Sequence, residues 1–312
     1  MAYPTAAGVR NIAATTMRYV PQLWSSKLLI KFYATTVFGE IANTDYEGEI
    51  KQQGDSVYIR AIPSITIRDH QKGQTITHEQ PSATPTQLDI DQGKYWAFST
   101  NRVDDAQTDI KNYADIWTSA ASRDLAVAID TAILAGVYSS AATANQGATA
   151  GAISGNINLG VDGGTSVQLT RANILDKIVE CGQVLDEQNA TKENRWIVLP
   201  VWACTLLKLS DLKAAYLTGD SVSPIRNGRV GKINDMMVYE SNLLATTTDG
   251  AGASAFCCIA GTMDAITFAS QLVENEDMPN PNAFGHLYRG LQVYGYKVVK
   301  PEALVWLYAK QG

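Results

Sequence analysis

The chain has few of the residues that metal sites, disulfides and membrane spans require. Its three histidines, His70, His78 and His286, are spaced in a way that fits no zinc site and no HExxH helix. Its four cysteines show no CxxC spacing, and we interpret them as reduced, small core residues. No apolar run approaches the roughly 18 residues that a membrane-spanning helix needs. We therefore predict no metal site, no disulfide and no contact with a membrane.

The signatures of common catalytic and nucleotide-binding sites are also missing. There is no GxSxG nucleophile elbow, no Walker loop and no GxGxxG turn after a strand. Gly228 to Lys232 only loosely resembles a phosphate-binding loop, and we interpret it as a turn into a strand. Glu274, Glu276 and Asp277 are interpreted as loop charges, with a divalent cation held by the last two between subunits as the alternative. We predict that the protein is not an enzyme and uses no cofactor.

Negative charge is missing from the start of the chain. The net charge is −6, yet residues 1–39 contain no Asp or Glu and carry four basic residues, Arg10, Arg18, Lys27 and Lys31. Three interpretations stay open: an arm that lies near a polyanion, an organelle transit peptide, or chance. Residues 21–38 are more apolar, with near-helical spacing that indicates a short helix packing on a surface.

One long helix, from Asp109 to Ala135, dominates the predicted secondary structure. Its apolar residues recur in steps of three and four, which keeps one face apolar for about seven turns. At about 1.5 Å per residue this helix is roughly 40 Å long. Thr108 is the predicted N-cap, and Gly136 is predicted to end the helix.

The segment before the helix, residues 41–100, is predicted to be β structure, most of which forms one extended hairpin. Apolar and polar residues alternate on both sides of a turn at 69–73, and the returning side includes Tyr95 to Phe98. A lone two-stranded ribbon is marginal in water, so the hairpin either folds back on its own domain or lies on another subunit. Its alternating apolar residues favour a partner surface. Its rim contacts are expected to come from charged residues, namely Arg60, Arg68, Lys72, Glu79 and Lys94.

The rest of the chain mixes helices and strands, which is typical of an α+β protein. A helix with Thr170 as its N-cap is predicted to run to about Asn189, and another has Pro200 at its first position. Strands are predicted at 196–199, 236–239, 255–260, 266–269, 291–299 and 304–308, with an acidic loop before 291. The last two strands are expected to close a sheet against the long helix.

This order of parts resembles the major capsid proteins of tailed double-stranded-DNA bacteriophages, which have the Hong-Kong-phage-type capsid fold. Local phrases at residues 43–57, 195–200, 290–295 and 301–304 also resemble this family. The resemblance implies an α+β fold with an N-terminal arm, an extended β-hairpin loop, a long spine helix in a peripheral domain, and an α+β axial domain.

The resemblance also implies how the chain is divided. The expected parts are an arm at 1–40, a peripheral domain at 41–53 and 101–168 with its spine helix at 109–135, the extended hairpin loop at 54–100, the axial domain at 169–262, and a return to the peripheral domain with the C-terminal strands at 263–312.

The function that the resemblance implies is structural. Copies of the chain would self-assemble in the host cytoplasm as pentamers and hexamers into the icosahedral head of a virion. The implied partners are a portal protein, a scaffolding protein, a cement or decoration protein, and packaged double-stranded DNA contacted non-specifically by the arm. The alternatives are an encapsulin-like nanocompartment shell, an enzyme with an α+β core, and a tail or surface-lattice protein.

Overall fold

The computed structural model describes residues 36–45, 56–60, 63, 65–82, 85–102, 113–210 and 231–312, without the side chains of 271–273. The four basic residues of the predicted arm and the predicted N-cap of the long helix lie outside the described residues. Of the segment interpreted as a turn into a strand, Gly231 has a positive φ and Lys232 begins a strand.

Within these residues the α-helices are α1 (Phe38–Ile41), α2 (Tyr113–Val137), α3 (Ile174–Glu187) and α4 (Val201–Leu209). The strands are β1 (Ser56–Ile59), β2 (Thr86–Asp89), β3 (Gln92–Asn101), β4 (Val167–Leu169), β5 (Arg195–Leu199), β6 (Lys232–Ile233), β7 (Met236–Glu240), β8 (Thr246–Thr248), β9 (Ser254–Thr262), β10 (Ile266–Pro279), β11 (Gly285–Val298) and β12 (Leu304–Gln311). None of the described helices combines the length and apolarity that crossing a membrane requires.

Helix α2 is the predicted spine helix, but its predicted end is wrong. Gly136 lies inside the helix, which runs to Val137 and continues as a 3-10 turn over Tyr138–Ser140. A Cβ atom on Gly136 would lie 2.1 Å from the hydroxyl oxygen of Tyr296 on β11. The glycine therefore leaves room for the Tyr296 side chain against the helix, and it does not terminate the helix.

Helices α3 and α4 start later than predicted. The side-chain oxygen of Asn173 accepts the N–H of Thr170 at 2.7 Å, so a turn precedes α3 and Asn173, not Thr170, is its N-cap. Pro200 is the N-cap of α4 and does not occupy its first helical position. Its carbonyl accepts the N–H groups of Ala203 and Cys204 and so begins that helix.

Two larger sheets organise the described chain. A three-stranded antiparallel sheet has the order β10-β11-β3, and a seven-stranded mixed sheet has the order β4-β12-β9-β5-β7-β6, with β8 paired to β9. Helix α2 packs on the three-stranded sheet, where Trp117 meets Phe98 edge-on at 5.7 Å. In the larger sheet all five residues of β5 are buried. The α+β class predicted from the sequence is confirmed.

The extended hairpin is shorter than predicted. β1 pairs with β2 over only four residues, and residues 65–82 form neither strand nor helix. Tyr95 to Phe98, predicted as part of the returning arm, lie in β3 and pair with Leu291 to Tyr288 of β11. The alternation in β3 correctly predicts a strand. Its partner strand, β11, comes from near the end of the chain, and a local sequence pattern does not reveal that pairing.

The acidic segment around Glu276 is a strand and not the predicted loop. Glu274, Glu276 and Asp277 belong to β10, which pairs with β11 from end to end except at a bulge between Ser270 and Leu272. The opposite strand supplies partners to two of these residues: Arg289 forms an ion pair with Glu276, and the Nδ1 atom of His286 lies 3.0 Å from the Asp277 carboxylate. Cross-strand pairs of this kind make acidic residues compatible with an exposed sheet face.

The last strand is present where predicted but lies in a different sheet. β12 runs between β4 and β9 in the seven-stranded sheet, and not along the side of α2. Leu304 to Ala309 are all buried. Such a continuous apolar run is typical of a strand covered on both faces. The sheet beside α2 is therefore built from β3, β10 and β11.

Candidate assembly interface

The base of the extended hairpin is anchored by a small apolar core of its own. Ile59 of β1 and Leu88 of β2 are buried together with Ile90 and with Ala269 of β10. Val57, Val293 and Val299 pack against this group. Side chains of the hairpin and of the three-stranded sheet therefore pack together and join the hairpin to the sheet near Ala269.

Residues 65–82, which we call the distal loop, carry isoleucines that the described chain leaves uncovered. Ile67 is 91% exposed, and Ile65 and Ile76 are 63% and 65% exposed. The loop is braced internally, since the Glu79 carboxylate accepts the N–H of Thr66 at 2.7 Å and pairs with Arg68 at 3.5 Å. An extended segment that presents apolar side chains to solvent is typical of an interaction site.

The structure brings only some of the predicted rim residues together. Arg68 and Glu79 meet each other across the distal loop. Arg60 is exposed directly after β1, and Lys72 is exposed in the turn. Lys94 does not lie on the hairpin: it is half-buried in β3, opposite Gln292. That placement was wrong for the same reason as for Tyr95 to Phe98, because β3 pairs outside the hairpin.

The face of the three-stranded sheet opposite α2 forms an open groove of about 430 Å³. Its lining includes Tyr95, which is 78% exposed, with Leu287 and Leu291 from β11. The Arg289 guanidinium and the Glu276 carboxylate form an ion pair beside these apolar groups. The groove therefore combines an apolar floor with a charged rim, a combination seen at protein interfaces. Sequence reasoning missed it because its strands come from distant parts of the chain.

A buried carboxylate, also missed, connects the start of the described chain to the spine helix. Asp130 is fully buried in α2, and its Oδ2 accepts the N–H of Val37 at 3.0 Å. Burial raises the pKa of this carboxyl to about 6, while hydrogen bonds from Val37 and Phe38 act to lower it. The available signal was its spacing, three and four residues before the apolar Ile133 and Leu134.

The cysteines and acidic residues form no metal site within the described residues. All four cysteines are buried, which agrees with their prediction as small core residues, and all four are free thiols. Burial raises the pKa of the Cys181 and Cys204 thiols to about 12, which keeps them protonated and unreactive. Glu276 and Asp277 lie on opposite faces of β10, since successive strand residues alternate, so they cannot share one cation within a chain.

Comparisons with known proteins agree with this architecture. The family model described as "Phage capsid protein" matches residues 84–307, which is most of the chain. A search of curated proteins gave no match. A structure of Mycobacterium phage Che8 is 26% identical with a TM-score of 0.76, and the alignment covers 94% of this chain and 98% of that one.

Two further capsid structures have the same fold at lower identity. The cyanophage P-SCSP1u capsid is 15% identical with a TM-score of 0.72, covering 94% of both chains. The mature capsid of bacteriophage PhiM1 is also 15% identical, with a TM-score of 0.69 and coverage of 93% of this chain and 92% of that chain. These matches favour a structural capsid protein over an encapsulin-like shell. The chain belongs to the phage capsid protein family, and it is a major capsid protein with the tailed-phage capsid fold.

Proposed function

We propose that many copies of this chain close, as pentamers and hexamers, into an icosahedral head around double-stranded DNA. The observation that supports this proposal is the exposure of apolar side chains in the distal loop. Its three exposed isoleucines extend beyond the small core at the hairpin base, and burying each one fully is worth about 1.5–3 kcal/mol. A symmetric lattice repeats such a contact once per subunit, so modest contacts add up to a stable shell.

The groove on the three-stranded sheet is the proposed receiving surface for the distal loop of a neighbouring copy. The apolar floor formed by Tyr95, Leu287 and Leu291 suits isoleucine side chains. The ion pair of Arg289 with Glu276 suits a loop that carries its own pair of Arg68 and Glu79. Because groove and loop are on the same chain, each subunit both gives and receives one contact, and such head-to-tail contacts form a ring when the rotation between neighbours closes.

The remaining proposals come from the family and from the charge of the chain. We propose the division into arm, peripheral domain, hairpin loop and axial domain, with β3 assigned to the peripheral sheet and β4 and β12 to the axial sheet. The portal, scaffolding and cement or decoration proteins are proposed partners, with assembly in the host cytoplasm. We further propose that the chain performs no enzymatic reaction, since its role rests on surfaces and not on a reactive centre.

Negative-stain electron microscopy of the purified protein tests the main proposal. We expect closed shells, with or without a co-expressed scaffolding protein. Monomers or dimers under every assembly condition would overturn the proposal. Tubes or flat sheets would instead support a surface-lattice protein, and isolated shells that contain protein cargo and no DNA would support a nanocompartment.

Neutralising the predicted arm is expected to reduce DNA content more than folding. The variant carries Arg10→Gln, Arg18→Gln, Lys27→Gln and Lys31→Gln, which removes four positive charges that could lie near phosphates. The matched control exchanges Arg for Lys and Lys for Arg at the same positions, so that the charge is kept. DNA per particle, measured from the absorbance ratio of purified heads, should fall in the Gln variant alone. Equal DNA content in both variants would contradict a DNA-facing arm.

A further inference from the structure

A pair of small residues marks the place where the extended hairpin meets the three-stranded sheet. Ala269 of β10 and Gly295 of β11 are directly opposite each other in the strand register. Both are buried, and Ala269 contributes to the small core with Ile59 and Leu88. The larger side chains that usually fill a sheet face are missing here, so the backbone that follows β2 can lie directly on the sheet.

The contact at Gly295 is with backbone atoms, which cannot rotate away. A Cβ atom on Gly295 would lie 2.2 Å from the carbonyl oxygen of Asp89 and 3.0 Å from the Cα of Ile90. Real Cβ atoms essentially never approach another heavy atom to within 3.0 Å, so any side chain at this position forces the backbone to shift. Asp89 is the last residue of β2, and Ile90 is in the link to β3.

We infer that the Ala269–Gly295 pair is the positioning site that sets the direction in which the extended hairpin leaves its subunit. One side of the hairpin joins the sheet through the link at Asp89 and Ile90. The distance between this link and the sheet is set by the absence of a side chain at Gly295. The direction of the hairpin in turn sets where the distal loop meets the next subunit. That consequence rests on the proposed function, whereas the positioning itself is a property of a single chain.

A small shift of the backbone at this pair produces a larger displacement at the tip of the hairpin. Moving Asp89 outward by about 1 Å, over the roughly 10 Å length of a four-residue strand, tilts the hairpin by about 5°. Lys72 lies 13 residues beyond Ile59, a reach of up to about 40 Å. The same tilt therefore displaces the tip by about 4 Å, which is enough to misplace an interface.

Gly295→Ala is the test variant, and Gly93→Ala is its matched control. Gly93 lies in β3 of the same sheet, and a Cβ built there meets nothing within 4 Å. Both changes add one methyl group to a strand glycine, so they differ only in the contact. Ala269→Gly is a second variant, which enlarges the site without a clash and remains informative if Gly295→Ala fails to fold.

The first readout is a distance within one subunit. Nitroxide labels on cysteines introduced at Lys72 and Ser99, both exposed, report the position of the loop relative to β3, and the buried native cysteines are protected from labelling. By pulsed electron paramagnetic resonance of dissociated subunits, Gly295→Ala should shift the mean distance by about 4 Å, and Ala269→Gly should shift or broaden it. Gly93→Ala should match the wild type.

The second readout is shell formation, measured by electron microscopy. Gly295→Ala should lower shell yield at least tenfold or change shell diameter, while Gly93→Ala should do neither. An unchanged distance in both Gly295→Ala and Ala269→Gly overturns the positioning role, whatever the shells do. A shifted distance together with normal shells would overturn the inference that the direction of the hairpin determines contact with the neighbouring subunit. Failure of the wild type to form shells overturns the proposed function alone, because the distance measurement needs no assembly.

Discussion

Replacing residues 65–82 with a short Gly–Ser linker is expected to give a folded subunit that no longer forms shells. The hydrogen bonds and ion pair that the structure gives to side chains of this loop join members of the loop to one another. The small core at the hairpin base, with Ile59 and Leu88, remains in place. The deletion therefore removes an outward surface and little that stabilises the subunit itself.

The expected change in subunit stability is small and favourable. Shortening a loop lowers the entropic cost of bringing its ends together, by roughly 0.6 kcal/mol for each halving of its length. The linker should thus raise the free energy of unfolding by about 1 kcal/mol, as measured by urea denaturation of dissociated subunits. Shell yield by size-exclusion chromatography should fall to background. Normal shells from the deleted protein would show that the distal loop is not the intersubunit element.

A single substitution separates the apolar contact from the presence of the loop. Ile67→Ser removes the most exposed isoleucine of the loop, and Ile153→Ser removes an isoleucine that is 81% exposed elsewhere on the chain. The loss of one buried isoleucine per contact corresponds to about 1.5–3 kcal/mol, which lowers each association constant about tenfold to a hundredfold. Only Ile67→Ser should raise the protein concentration needed for assembly. An equal rise in Ile153→Ser would mean that the effect is not specific to the loop.

The parts of the fold that were predictable are those where local pattern and final environment agree. Helix α2 was found because its apolar residues recur at helical spacing over many turns, and β5 because its buried run is bounded by polar residues and Pro200. Gly136 misled the prediction, since a glycine at a helix end is typical of a C-cap. Its actual role, the contact with Tyr296, depends on a strand 160 residues later in the chain.

The candidate interface was predictable in kind but not in detail. The alternation at 65–68 suggested a strand, but those residues have no partner strand in the described chain, so their isoleucines remain exposed. The groove depends on β3, which precedes the β10–β11 hairpin by more than 160 residues, and the Ala269–Gly295 pair lies in that hairpin beneath the link that follows β2. Register between such distant strands is set by tertiary packing, and no local motif encodes it.

Asp130 is expected to make the subunit more stable as the pH falls from neutral toward 4. Burial raises the pKa of its carboxyl from the ordinary value of 3.8 to about 6, so the folded chain binds a proton more readily than the unfolded chain. The stabilisation by that proton is fully present below about 3.8 and is lost as the pH rises through about 6. The shift corresponds to about 3 kcal/mol.

Asp130→Asn isolates this contribution, because asparagine keeps an oxygen that can accept the N–H of Val37 and cannot ionise. The difference in unfolding free energy, wild type minus variant, should rise by about 2.5 kcal/mol between pH 7.5 and 4, because the last part of the shift is expressed only below pH 3.8. The exposed Asp115 on the same helix provides the control, and Asp115→Asn should follow the wild-type curve. A difference that stays flat with pH would contradict a buried, ionised Asp130.

Asp130→Ala tests the second role of the carboxylate, which is to hold the start of the described chain against the spine helix. It leaves the buried N–H of Val37 without its acceptor, a loss worth about 1–3 kcal/mol. At pH 5, where the wild-type carboxyl is largely protonated and the charge adds little cost, this loss should appear as lower stability. Faster hydrogen exchange at Val37 should accompany it, since this amide donates to Asp130. The Asn variant should retain slow exchange at Val37, because the acceptor, and not the charge, holds this segment in place.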